Sequence, residues 1–254
     1  MLRWPRRSRP RGDDYPPTPP MKIIARLSVS FALVFAAQLS AQTGLQFNLG
    51  GPGEVIQDRF IFANNGVTAT ATAWSADRTE TNPVLHVSEV VQWSPGIGVK
   101  NASETITDVP YVPYYVDNQN HYDFILFVFS APVDISSVRL NPSAGTFDLD
   151  ASYWLGNIDP AANLSGRAFT GLAGLGFGPR INSESIASNT PRDVAISTPA
   201  GGVNAILFGA RVSGDAEFDR FKISTIQGCT VIPEPGTAAL LLGSLLLVAG
   251  RRRR

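Results

Sequence analysis

Between Asp117 and Asp123 the chain crowds Asp117, Asn118, Asn120, His121 and Asp123 into seven residues, directly before a run of large apolar side chains. Carboxylate and amide oxygens at this density suit Ca²⁺, a hard cation that takes about six to eight oxygen ligands. The spacing is not that of an EF-hand: Gln119 and His121 hold the third and fifth positions, and no Gly follows. The plainer reading is an Asx-turn, in which Asp117 or Asn118 bonds the backbone and launches the strand behind it. On that reading no metal and no cofactor is assigned, and Ca²⁺ is the alternative. Asp148 and Asp150, two residues apart, would share one face of a strand and could supplement such a site.

Catalytic chemistry finds less support. The chain has two histidines, His86 and His121, and no Gly-x-Ser-x-Gly elbow to present a nucleophile. His86 lies in an alternating stretch (Val84 to Ser88), which places it on a polar strand face. Cys229 is the lone cysteine, so no intramolecular disulfide forms and stability must come from packing. It reads as a free, incidental thiol in a linker. No residue is assigned a catalytic role, and the chain reads as a non-enzyme.

The elements that carry these residues read as strands. Val67 to Trp74 (VTATATAW) alternates with period two, as a half-buried strand does. Further strands are predicted at Val55–Phe62, Val84–Trp93, Asp123–Phe129, Val133–Leu140, Thr146–Leu155, Val194–Ser197, Ala205–Val212 and Phe218–Ile226. Turn signals separate them, among them Asn64-Asn65-Gly66, Ser94-Pro95-Gly96 and Asn141-Pro142-Ser143. Phe124 to Phe129 (FILFVF) is apolar throughout, which predicts a central strand covered on both faces; exposed, it would aggregate. Gly156 to Asn189, rich in Gly, Ala and Ser, reads as long loops, with Gly171 to Gly178 the most flexible part. About ten short strands predict an all-β fold, a single antiparallel β-sandwich of jelly-roll type. Such a sandwich can present aromatic residues to sugars. Trp74, Trp93, Tyr111, Tyr114, Tyr115 and Trp154 are the candidates, with Trp74 and Trp154 better explained as core and Tyr111 to Tyr115 as an exposed Pro-containing loop.

The two ends differ from this body. From Met21 the chain reads as a secretory signal peptide, 21–41: Lys22 and Arg26 precede an apolar stretch from Leu27 to Ala37, and the small residue Ala41 marks the expected cleavage point before Gln42. Residues 1–20 are Pro- and Arg-rich and read as disordered, ahead of a true start at Met21. At the other end, Pro233-Glu234-Pro235 precedes a Leu-rich stretch, 236–250, and then Arg251, Arg252, Arg253 and Arg254. Fifteen helical residues span roughly 22 Å, short of the ~30 Å hydrocarbon core. The arginines would hold that end in the cytoplasm, with the remaining chain across the membrane. With both ends set aside, residues 42–232 hold 10 basic and 18 acidic side chains, a net charge of about −8. An acidic body of this kind excludes nucleic acid as a partner.

The rigid tripeptide, undersized apolar helix and basic terminus together resemble the PEP-CTERM sorting signal of Gram-negative bacteria. The resemblance covers Val231 to Arg254. It implies recognition of Pro233, Glu234 and Pro235 by exosortase, a membrane-embedded protease, after passage through the secretion translocon. A second, looser similarity runs over about Val67 to Gly156, where Ala73-Trp74-Ser75, Gly96-Ile97-Gly98-Val99, Val116-Asp117-Asn118 and Phe147-Asp148-Leu149-Asp150 resemble a domain of exosortase-dependent surface proteins. The family's His before the Asp-Asn pair is replaced here by Tyr115-Val116. The expected organisation is therefore a β-sandwich domain at 42–228 and a sorting signal at 229–254 with a transmembrane helix at 236–250. The resemblance implies an exported, non-catalytic surface or matrix protein, passing transiently through the inner membrane and associated with exopolysaccharide or biofilm. A carbohydrate-binding module of the envelope is the alternative, ahead of an unrecognised hydrolase.

Overall fold

The computed structural model describes residues 42–104, 114–143, 147–185, 189–213 and 218–231. Ala41, Tyr111, the sorting residues Pro233, Glu234, Pro235 and Arg251 to Arg254, the apolar stretch 236–250 and residues 1–20 lie outside them. No helix among the described residues is long and apolar enough to cross a membrane.

Thirteen antiparallel strands follow one another: β1 Gly44–Asn48, β2 Val55–Gln57, β3 Arg59–Asn64, β4 Val67–Asp77, β5 His86–Trp93, β6 Gly96–Lys100, β7 Val116–Asp117, β8 His121–Pro142, β9 Ala151–Gly156, β10 Ile181–Ser183, β11 Arg192–Ala195, β12 Val203–Ala210 and β13 Arg220–Thr230. The all-β, antiparallel expectation holds. Hairpin β3–β4 turns at Asn65-Gly66, both with positive φ (45° and 80°), the geometry that a two-residue hairpin of this hand demands.

The arrangement differs from two separate facing sheets. Strands β4, β5, β6, β13 and β8 are paired in sequence, and β8 also pairs with β4, so five strands close into a ring. The closure rests on β8, which continues through the break expected between Phe129 and Val133. Four of its residues, Phe129 to Pro132, stand opposite Asn204 alone, a bulge at which Pro132 has no N–H to donate. The bulge re-aims the strand. Its first half pairs with β4 and β12, its second half with β13 and β11.

Two apolar clusters follow from this. Ala69, Ala71 and Ala73 of β4 meet Ile125, Phe127 and Phe129 of β8 and Phe221, Ile223 and Ile226 of β13 in the larger one. On the other face of β4 and β8, Trp74, Phe124 and Leu126 pack with Trp154, Leu164, Leu172 and Phe177. The FILFVF run is therefore covered on both sides, as its composition predicts. The segment after β9 is not simply loop: Phe169–Leu175 forms a 3-10 helix that lids the second cluster, and Phe169 stacks within 5.4 Å of both Phe124 and Trp154.

The ring has a seam. Between β6 and β13 only Ile97 and Ile223 are paired. Into the gap runs the segment 114–117: the Val99 N–H donates to the Tyr115 carbonyl at 3.2 Å, and β7 pairs with Arg220 and Phe221 of β13. Gly98 makes room for it, since a Cβ there would stand 1.9 Å from the Tyr114 carbonyl oxygen. The wedge carries Asp117 into the wall of the barrel.

Candidate functional site

Two carboxylate triads lie near this wedge, and they differ in how the protein serves them. The ligand atoms of Asp148, Asp150 and Asp219 fall within 4.8 Å of one another, as do those of Glu104, Asp117 and Asp123. In the first triad all three residues are buried, and each is provided with donors. Asp219 accepts the N–H groups of Asp150 and Arg211, both at 3.0 Å, and the Asn118 amide at 2.6 Å. Asp150 receives Arg211 Nη1 at 2.7 Å and the Ser185 N–H, with Arg192 at 4.0 Å. Asp148 accepts the Leu149 N–H and the Ser185 hydroxyl. Arg211 also reaches Glu184 at 2.9 Å. This is a tie between loops at one end of the barrel, with opposite charge and hydrogen bonds in place.

The second triad is poorly served. Asp123, in the first half of β8, is fully buried. Its Oδ1 receives the Asn101 amide at 3.3 Å, and its Oδ2 makes no hydrogen bond to any described residue. Burial drives its carboxyl well above the usual range, and the neighbouring Asp117 and Glu104 push the same way, against a smaller pull from Asn101 and the nearby Asp117 N–H. Burial also raises Asp117, partly offset by the Gln119 N–H and Arg220. Glu104, half-buried, is pushed up to about 7, first by burial and then by Asp117, against the Asn101 N–H that its Oε2 accepts at 3.0 Å. Among the described residues the cation paired with this group is Arg220, whose Nε stands 3.7 Å from Asp117 Oδ2, with Lys100 acting on Glu104 from farther away.

The Asp117–Asp123 segment thus divides its labour. Asp117 Oδ1 accepts the Gln119 N–H at 3.1 Å, the Asx-turn expected from its sequence. Asn118 leaves the group, because its amide serves Asp219 and the Arg211 carbonyl while its Oδ1 accepts the Asp219 N–H. Asn120 is exposed, and His121 contacts the Ser103 hydroxyl at 3.2 Å through Nδ1. Asp148 and Asp150 belong to the other triad, 69 and more residues from their partner Asp219. Glu104 and Asn101 were not singled out by sequence; a carboxylate three residues beyond a strand-ending Asn carries no signal by itself.

Beside the seam Lys222 is buried, an unusual place for an ammonium group. Its Nζ donates to the Tyr114 carbonyl at 3.1 Å and lies 5.2 and 5.0 Å from the rings of Trp93 and Tyr115. Burial pushes its pKa down to about 7, against the attraction of Glu54 and Glu104.

Among the described residues the aromatic candidates are withdrawn from the surface to differing degrees, and Tyr111 lies outside them. Trp74, Trp154 and Tyr114 are buried, and Trp93 and Tyr115 are half-buried around Lys222. The expectation of an exposed loop fails at Tyr114, because the seam takes its backbone into the wall. His86 is exposed, in keeping with a polar strand face.

Cys229 also moves from its expected place. Strand β13 runs past residue 228 to Thr230, and Cys229 pairs with Gly44 and Asp134 across the sheet rather than lying in a linker. Burial and then Asp134 raise its thiol pKa, which makes it a poor nucleophile. Cys229→Ser should shift the melting temperature by no more than about 2 °C, as surface-type changes do; thermal denaturation of the two proteins checks this. Compared with known protein families, curated proteins and solved structures, the chain matches none.

Proposed function

We propose that this chain is an exported, non-catalytic surface or matrix protein, delivered by an N-terminal signal peptide at 21–41 and sorted by an exosortase-type protease through Pro233-Glu234-Pro235. The observation that carries the reading is the ordered set of tripeptide, short apolar stretch and arginine block over residues 233–254. Pro233 and Pro235 have a fixed φ and no N–H, which disfavours continuing a helix or ladder through the motif and suits recognition by a protease.

Two features of the fold support it. Strand β1 pairs with the end of β13, Gly44 opposite Cys229, and the Thr230 N–H donates to the Thr43 carbonyl at 3.0 Å. The points where the two export segments join the domain are therefore side by side. Two residues, Val231 and Ile232, separate the end of β13 at Thr230 from Pro233, so in the sequence the motif follows the sheet closely. Association with exopolysaccharide is part of the same proposal.

Mass spectrometry of the mature protein from its native host tests the proposal. The expected product begins at Gln42 and lacks Arg251 to Arg254, and replacing Pro233, Glu234 and Pro235 with Ala should leave the arginine tail in place. A cytosolic protein that retains all four arginines would overturn the reading.

A further inference from the structure

We propose that Glu104, Asp117 and Asp123 bind one calcium ion at the seam of the barrel, beside the wedge that 114–117 drives between β6 and β13.

Two independent observations carry this. The first is the geometry: three carboxylates from separate places in the chain bring their oxygens within 4.8 Å of one another. Mg²⁺ is usually held by one or two carboxylates and keeps most of its waters, whereas Ca²⁺ takes a larger and less regular set of oxygens, so three converging carboxylates favour the larger ion. The second is Asp123 itself. It is fully buried, its Oδ1 is taken by Asn101, and its Oδ2 has no hydrogen bond to any described residue. A buried polar oxygen without a partner is costly, and this one sits in a group of like charges.

The neighbouring triad shows what the fold does when carboxylates are only structural. There, Arg211, Asn118, Ser185 and backbone N–H groups meet the oxygens of Asp148, Asp150 and Asp219. Around Glu104, Asp117 and Asp123 the comparable supply is Arg220 at 3.7 Å, the Asn101 N–H and side chain, and the N–H groups of Gln119 and Asp117. No guanidinium or ammonium donates a hydrogen bond to Asp123 among the described residues, and its Oδ2 stays without a partner. Hard oxygens from three carboxylates, with no sulfur or imidazole among them, select a hard divalent cation. Water completes the coordination.

This inference is independent of the export reading, since it concerns the folded domain in any compartment. Its test is a melt and a calorimetric titration of the full chain, stripped with EDTA and then given CaCl₂ alone. One site per chain is expected, with a rise in melting temperature of about 5–10 °C at a hundredfold excess over Kd. MgCl₂ at the same concentration should give less than half that rise. Asp123→Asn and Glu104→Gln should each abolish the rise. In EDTA, Asp123→Asn should melt no lower than the unmodified chain, because a neutral amide takes one carboxyl out of a buried group of three. No calcium-dependent rise in the unmodified chain overturns the proposal, as does an undiminished rise in Glu104→Gln. An equal response to Mg²⁺ overturns the assignment to calcium.

Discussion

Asn118→Asp should lower the melting temperature by roughly 10 °C, the largest single loss expected outside the apolar core. Asn118 is almost fully buried and bridges three elements: the loop after β7, the end of β12 through the Arg211 carbonyl, and the start of β13 through Asp219. It donates to the Asp219 carboxylate at 2.6 Å and accepts the Asp219 N–H at 2.9 Å. A second carboxylate in that position would face the first without a proton between them. Removing one partner of a buried polar pair costs about 3–5 kcal/mol when a charge is left uncompensated. Asn118→Ala removes the same bonds without adding charge, and about 2–4 kcal/mol is expected from the donors and acceptors it orphans. Denaturant melts of both variants measure the difference. The result also separates two roles for this residue. A calcium ligand tolerates Asn to Asp, which adds an anionic oxygen, so a CaCl₂ rise larger in Asn118→Asp than in the unmodified chain would mean that Asn118 faces an ion and not Asp219.

Lys222→Met should stabilise the domain below about pH 7 by about 1–4 kcal/mol, the range seen when buried charge gives way to apolar side chains of similar volume. The cause is burial, which holds the folded-state pKa of Lys222 at about 7, below its ordinary 10.5. Below pH 7 both folded and unfolded chains carry the proton, and the fold bears the full cost of an ammonium removed from water. As pH rises from about 7 to 10.5, the folded chain gives up the proton that the unfolded chain still holds. Stability contributed by this group is therefore present above 10.5 and lost as pH falls through about 7, with a slope of at most about 1.4 kcal/mol per pH unit between. The groups facing it are Glu54 and Glu104, whose charges favour the ammonium, and the rings of Trp93 and Tyr115. They soften the effect without reversing it. Urea titrations at a series of pH values should show the rise in the unmodified chain and a flatter profile in the variant. A variant less stable than its parent at pH 6 would mean that the ring contacts and the Tyr114 carbonyl outweigh desolvation.

Local pattern made much of this fold legible. The VTATATAW alternation placed β4, and Asn65-Gly66 placed its hairpin. The unbroken apolar run of β8 required cover on both faces and has it. Closure was not legible, because a ring and a sandwich share the same period-two pattern. What distinguishes them is the pairing of β13 with both β8 and β6, set by contacts between residues as far apart as Phe221 and Pro142 or Ile223 and Ile97. Pro132 looked like a strand end and is instead the pivot of a continuous strand. The stretch after β9 hid its apolar anchors among Gly and Ala, since Leu164, Leu172 and Phe177 are too widely spaced for a periodic signal. The acidic segment was visible as a source of ligands, and its Asx-turn with it. Its allocation was not visible. Asn118 finds Asp219 across 101 residues, and Asp123 finds Asn101 across 22. Only the folded wall decides which of these neighbours share a site.

That wall is finished by its final strand. Strand β13 holds β1, β6, β7 and β8 at once, so a chain made amino end first leaves four ladders open until residues 220–230 arrive. Folding of the barrel waits on that segment. Its rate is expected to be slow, as it is for folds whose decisive contacts join distant parts of the chain.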